Sequence, residues 1–353
     1  MTRLPLRCIP VANTSAPIPL PRYRCPVILV PMSLSDQAFW RRTPPALFPA
    51  TLGMFGMALA WRNADRVLGV PGWAADLWLG AATAVFTFVF ACYLAKIAAR
   101  PSAILGDLSP VPGRAAVSAG SMCLMMLAAG LVLIWDRPAL ALPVWLAGIG
   151  LHVLYMCCVI TVLIRLPKAD RCLSPTLFLP FVGYIVAPIA GVPLGFGTVM
   201  AGLYVYTLLA GAIVLVLCTP QFFLAPTPVP SRPAAAILLA PTSVAAISAH
   251  TLGWMLPVPW FLVASLAVTA ILVLRIGWLT AGGWTPLWGA FTFPSAAFAG
   301  AMLIAAELWA GPWTLIAWTA LIAASFIVAP IWVLTLNAWA MGRLAPATGA
   351  RIA

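Results

Sequence analysis

From residue 45 to residue 340 the sequence is a succession of apolar runs with short breaks between them. A helix needs about 20 residues to cross roughly 30 Å of hydrocarbon, and the runs have that length. Of the 353 residues, 63% are hydrophobic and only 7% are charged, more apolar surface than a soluble core of this size can hide. The chain therefore reads as an all-α integral membrane protein. A β-barrel would show short alternating segments, which the sequence lacks.

The hydropathy pattern predicts helices over residues 45–61, 74–97, 115–135, 142–165, 175–194, 197–218, 234–255, 258–279, 285–308 and 312–340, ten transmembrane helices in all. With the N-terminus inside, the inner side holds Arg3, Arg7, Arg22, Arg24, Arg41, Arg42, Lys96, Arg100, Arg114, Arg165, Lys168, Arg171, Arg232, Arg275, Arg343 and Arg351. The outer side holds only Arg62, Arg66 and Arg137. Both termini are thus expected to be cytoplasmic, with the chain multi-pass in the bilayer of the cell inner (plasma) membrane. An even number of spans is required for that. The formal charge of +12 mostly records this asymmetry and gives no ground for a nucleic-acid partner.

Residues 1–38 are rich in Pro and Arg and lack the apolar stretch of a signal peptide, so they read as a disordered N-terminal tail. Met32, followed by SLSDQAFWRRTPP, makes a more natural start, and translation is expected to be able to begin there. Residues 39–342 form the transmembrane domain and 343–353 a short cytoplasmic tail. Cys92, Cys123, Cys157, Cys158 and Cys218 fall inside expected helices, where they pack as small apolar residues. There is no CxxC pair, Cys/His metal spacing, HExxH, GxSxG or pair of intramembrane aspartates, so neither a metal, a cofactor nor an enzyme is expected.

Proline recurs within odd-numbered spans: Pro49 in the first, Pro180 and Pro188 in the fifth, Pro241 in the seventh and Pro294 in the ninth. Even spans carry it mostly at their starts, as Pro143, Pro259 and Pro312; Pro330 is the exception, and the third span has none. Proline frees backbone groups that membrane depth tolerates only inside protein or beside a cavity. The alternation points to helical hairpins with odd helices inside and even helices outside. Three faces are small and faintly polar at helical spacing: Pro49, Gly53, Gly56 and Ala60; Pro180, Tyr184 and Pro188; Pro241, Ala245 and Ser248. Such faces serve either close helix packing or a pore lining. In the ninth span Gly289, Ala296, Ala297 and Gly300 lie within about 60° of Phe293 on a helix of roughly 3.6 residues per turn. Phe293 is the one bulky group on that face, and beside a cavity its ring would block the way and exclude water.

The stretches TLGMFGMALAW in the first span, SPTLFLPFV at 174–182, ILLAPTSVAAISA at 237–249 and WGAFTFP at 288–294 resemble the tellurite-resistance and C4-dicarboxylate transporter family, which includes plant slow-type anion channels and fungal malate permeases. The similarity runs from about residue 43 to residue 342. The resemblance implies five helical hairpins around a central pore in quasi-fivefold arrangement, and a homotrimer whose subunits each carry a pore. It also implies that Phe293, second aromatic of the W-x-A-[FY]-[ST]-F-P pattern, occludes the pore. The cargo it implies is a small anion: tellurite, a C4-dicarboxylate such as malate, or a monovalent anion. Where family members often have a His-Pro-Val-Arg-like stretch before the third helix, this chain has LSPVPGRAAVSAG, in which Arg114 alone could keep a basic role at the cytoplasmic mouth.

His152 and His250 have no second histidine at haem-ligand spacing and are expected to be hydrogen-bonded packing residues. Glu307, beside Trp309, is expected at the outer interface. A pore without buried carboxylates favours passive conduction. The rival readings are a proton-coupled C4-dicarboxylate carrier and, more remotely, a membrane-embedded enzyme.

Overall fold

The computed structural model describes residues 38–167 and 171–351; the expected N-terminal tail up to residue 37, with its start at Met32, lies outside them. Each of the ten expected segments is helical. They are α1 (Leu47–Leu68), α2 (Trp73–Ala99), α3 (Val111–Leu133), α4 (Pro138–Arg165), α5 (Pro175–Gly191), α6 (Gly197–Leu224), α7 (Val229–Thr251), α8 (Val258–Leu274), α9 (Pro286–Trp309) and α10 (Pro312–Ala340). Seven of these, α2, α3, α4, α6, α7, α9 and α10, are long and apolar enough to cross a membrane. The other three fall short of the sequence-based expectation for physical reasons. The apolar α5 and α8 are shorter, and the 22 residues of α1 end in a polar stretch containing Arg62, Asn63, Asp65 and Arg66.

The helices fall into two environments. Buried residues make up 83% of the apolar window of α3, 78% of that of α9 and 61% of that of α7, against 22–33% for α2, α4, α6 and α10. Leu209, Val216, Val263 and Phe326, all on even helices, are exposed, as expected of side chains that meet lipid instead of protein. Each odd helix packs against the even helix that follows it, and α1, α3, α5, α7 and α9 touch one another in cyclic order. With so little hydrophobic gain between helices in lipid, close packing of small residues has to hold them together. Gly130 against Leu79, Gly148 against Met125 and Gly191 against Trp145 and Met200 are such points, where a Cβ would collide with the neighbour.

Proline acts differently from the sequence-based expectation of mid-span kinks. Pro49 sits in the first turn of α1, where its missing N–H costs nothing. In α7 a 3₁₀ stretch, Val229–Leu238, gives way to α-helix just before Pro241. In α5 the backbone changes three times, from 3₁₀ (Pro175–Leu177) to α (Phe178–Val182), to 3₁₀ (Gly183–Val186) and back to α (Ala187–Gly191). Among the prolines of the odd helices, Pro294 lies well inside regular helix, as Pro330 does in α10, and beside Pro294 the Ser295 Oγ bonds back to the Phe291 and Thr292 carbonyls.

Candidate functional site

Two cavities lie along the odd helices. The first, about 100 Å³, is lined by residues near the starts of α1, α3, α5, α7 and α9, together with Asp107, Thr348 and Ala350. The second, about 390 Å³, is lined by later residues of the same five helices, among them Arg62, Arg66 and Glu307. No residue of α2, α4, α6, α8 or α10 lines either one. We call them the Asp107 cavity and the Arg66 cavity. Two residues, Phe293 of α9 and Val244 of α7, belong to both walls, so the two cavities adjoin at them, and we call that place the partition.

The local sequence explains why the ring stands there. Phe293 is 6% exposed and lies over Gly56 of α1: a Cβ at position 56 would stand 3.2 Å from the ring and 2.9 Å from the Ala296 side chain. The register of α9 on α1 is fixed one residue earlier. The Thr292 hydroxyl is shared between the Pro49 carbonyl at 2.9 Å and the Gly289 carbonyl at 2.8 Å, and the Thr292 side chain fills the space that a side chain at Gly53 would need. Gly53→Ala is therefore expected to force α1 and α9 apart and to cost about 1–3 kcal/mol. The check is thermal denaturation in detergent beside Gly202→Ala, whose Cβ would meet nothing within 4 Å. Equal melting temperatures for the two variants would contradict this account.

Of the residues singled out by sequence, Pro49, Pro241 and Gly289 line the Asp107 cavity and Gly56, Ala60, Ala296, Ala297 and Gly300 the Arg66 cavity. The others are placed in helix contacts instead. Gly53 faces Thr292, the Ala245 carbonyl accepts the Tyr204 hydroxyl at 3.1 Å, and Ser248 donates to the Ile185 carbonyl at 2.6 Å. Tyr184 packs on His152 with ring centroids 4.3 Å apart. Pro180 and Pro188 are buried off the cavity walls, and α5 offers Leu179, Val182, Gly183 and Ile185 to the first cavity and Ile189 to the second. Arg114 is 2% exposed and does not face the Asp107 cavity. Its Nε donates to the Leu108 carbonyl and its Nη2 to the Ser109 carbonyl, which pins the short helix Ser102–Leu108 to α3.

Several lining residues were not singled out by sequence. Val244 follows Pro241 by one helical turn and could have been found by extending that face by three instead of four. Met122 and Met126 come from α3, where the absence of proline removes the signal that marks the other odd helices. His250, expected as a packing residue, and Glu307, expected at the outer interface, both line the Arg66 cavity. His152 fits its expected packing role: its Nδ1 lies 2.8 Å from Ser121 Oγ, and its ring presses on Gly183.

Against the expectation of a pore without buried carboxylates, Asp107 is on the first cavity wall, its one charged residue, and is almost wholly buried. Its Oδ2 accepts Lys96 Nζ at 2.7 Å and the Tyr93 hydroxyl at 3.1 Å, and its Oδ1 accepts the Arg351 backbone N–H at 2.8 Å. Lys96 also donates to the Thr43 carbonyl. The pair thus joins the end of α2, the segment before α1, the Ser102–Leu108 helix and the C-terminal residues at one edge of the cavity.

The sequence pattern of a protein family described as "voltage-dependent anion channel" matches residues 42–339. A search of curated proteins gave no match.

Proposed function

The chain belongs to the voltage-dependent anion channel family, and on that premise we propose that it passes small anions between the Asp107 and Arg66 cavities through a way closed by Phe293. The observation that carries the reading is the partition: Phe293 and Val244 are the two residues shared by both cavity walls. A hydrophobic constriction between wet vestibules stops ions by excluding water, and an aromatic ring on a face of small residues has room to turn away. In this reading all ten helices cross the bilayer as five hairpins around the passage. The Asp107 cavity opens to the cytoplasm, on the side of both termini and most of the basic residues, and the Arg66 cavity opens outward. Residues 39–342 form the conducting domain, the assembly is a homotrimer in the plasma membrane, and the chain is not an enzyme. The cargo class is tellurite, C4-dicarboxylate or monovalent anion.

Conduction is passive in this proposal. Asp107 is fully engaged by Lys96, Tyr93 and the Arg351 N–H, which leaves it unsuited to carry a proton back and forth. Purified protein in liposomes, given chloride, nitrate, malate or tellurite in turn, is expected to show flux driven by a potassium-diffusion potential with no pH gradient. A strict need for a proton gradient, with counterflow of malate, would favour the carrier instead.

A further inference from the structure

The polar groups of the Arg66 cavity are Arg62, Asn63 and Arg66 on α1, His250 and Thr251 on α7, and Glu307 on α9. Its remaining wall, toward Phe293, is apolar. At about 1.5 Å of rise per residue, Arg62 and Arg66 lie roughly 9 and 15 Å beyond Gly56, His250 about 9 Å beyond Val244 and Glu307 about 21 Å beyond Phe293. The charges therefore ring the end of the cavity away from the partition. The two arginines are not equivalent. Arg62 is held by Asp65 at 3.0 Å and by the Leu133 carbonyl at 3.1 Å. Arg66, one turn later on the same face, makes no ion pair or side-chain hydrogen bond among the described residues.

Arg66 is exposed at the mouth of this concave site, and an unpaired guanidinium in that place is a good anion receptor. It offers several N–H donors in a rigid fork, it is weakly hydrated, and the low-dielectric wall strengthens the attraction. The opposing carboxylates set which anion fits. Counting Arg62, Arg66, Asp65 and Glu307, the formal charge around the opening is zero, so binding comes from the local guanidinium and not from a net field. A singly charged anion gains that contact; the second charge of a dianion has no free cation and meets the repulsion of Glu307 on the facing helix.

Resting on the proposed conduction reading, we propose that the Arg66 cavity is a capture site that favours a monovalent oxyanion or monocarboxylate, with Arg66 as its receptor and Glu307 as the residue that ranks dianions such as malate below them. The site loads the anion some 15 Å from the partition by the same helical rise.

Nitrate and malate serve as probes. In liposomes, Arg66→Gln is expected to raise the half-saturating external nitrate concentration by about three- to tenfold with little change in maximal flux, as the loss of a steering charge does, and Arg66→Lys to recover most of it. Glu307→Gln is expected to move the other way, lowering the half-saturating concentration and raising the malate-to-nitrate flux ratio by about threefold or more. Nitrate-dependent stabilisation of the detergent-solubilised protein, read by its melting curve, reports on the site even where no flux is seen: loss of that shift in Arg66→Gln alone supports capture. Unchanged half-saturation and melting shift in Arg66→Gln, or equal effects of Arg66→Gln and Glu307→Gln, would overturn the proposal, whereas flux absent from the wild type beside an intact nitrate shift would overturn conduction alone.

Discussion

Replacing Phe293 by alanine is expected to raise anion conductance by about tenfold or more, equivalent to about 1.4 kcal/mol or more off the barrier. The ring belongs to both cavity walls, so its removal joins them, and it does so without placing a charge or a polar group in the way. Val244→Ala opens the same partition from the other side by a smaller volume and is expected to give a smaller increase. Phe293→Leu, which keeps an apolar plug of reduced breadth, should fall between wild type and alanine. The ring also packs over Gly56, so some stability is lost with it, up to the ~3–5 kcal/mol typical of a buried aromatic and less where the void opens to water. Side-by-side currents on monodisperse wild type and variant separate the two effects. Unchanged current in a well-folded Phe293→Ala protein would make the ring a packing residue and put the barrier elsewhere.

The second large effect concerns stability. Lys96 and Asp107 are both fully buried, 2.7 Å apart. Removing one partner of such a pair strands the other charge, which typically costs about 3–5 kcal/mol. Lys96→Met is therefore expected to lower the melting temperature in detergent sharply and to cut the yield of monodisperse protein. Asp107→Asn alone should also destabilise, since it strands the ammonium of Lys96 and weakens the acceptor used by Tyr93 and the Arg351 N–H. The informative variant is the double one. Lys96→Met with Asp107→Asn leaves no unpaired charge, so it should be more stable than Lys96→Met, with a coupling energy of a few kcal/mol. Strict additivity of the two losses would show that the pair is solvated in spite of its burial.

Much of the helical plan was legible in the sequence because the bilayer imposes a length that hydropathy records directly. Of the small residues expected on one face of α1 and α9, all but Gly53 lie on a cavity wall, since those helices are regular there and residues at helical spacing share a face. The same device failed in α5. A wheel of 100° per residue cannot carry phase across two 3₁₀ stretches, where each residue turns about 120°, so Pro180, Tyr184 and Pro188 were assigned one face that the backbone does not keep. In α7 the faintly polar residues drew the assignment to Ala245 and Ser248, but those positions serve α6 and α5 through hydrogen bonds, and the cavity is faced by Val244 and Ile247. Lys96 and Asp107 could not be paired by spacing, because the turn of chain between α2 and the Ser102–Leu108 helix decides their meeting. Membership of the anion-channel family rests on the order of motifs along nearly the whole chain, which local irregularities leave intact.

On the proposed conduction reading, a barrier made by Phe293 and Val244 has an electrical consequence. Where water and ions fill both vestibules, they carry the potential of their own side inward, and the membrane voltage falls across the thin dry segment instead of evenly over roughly 30 Å of hydrocarbon. A unit charge carried through that segment exchanges about 2.3 kcal/mol with each 100 mV. The phenyl ring has no charge for the field to pull on. The field acts on the anion resting against it, so steepness with voltage would scale with the valence of the permeating ion and would persist, at lower threshold, when the ring is trimmed.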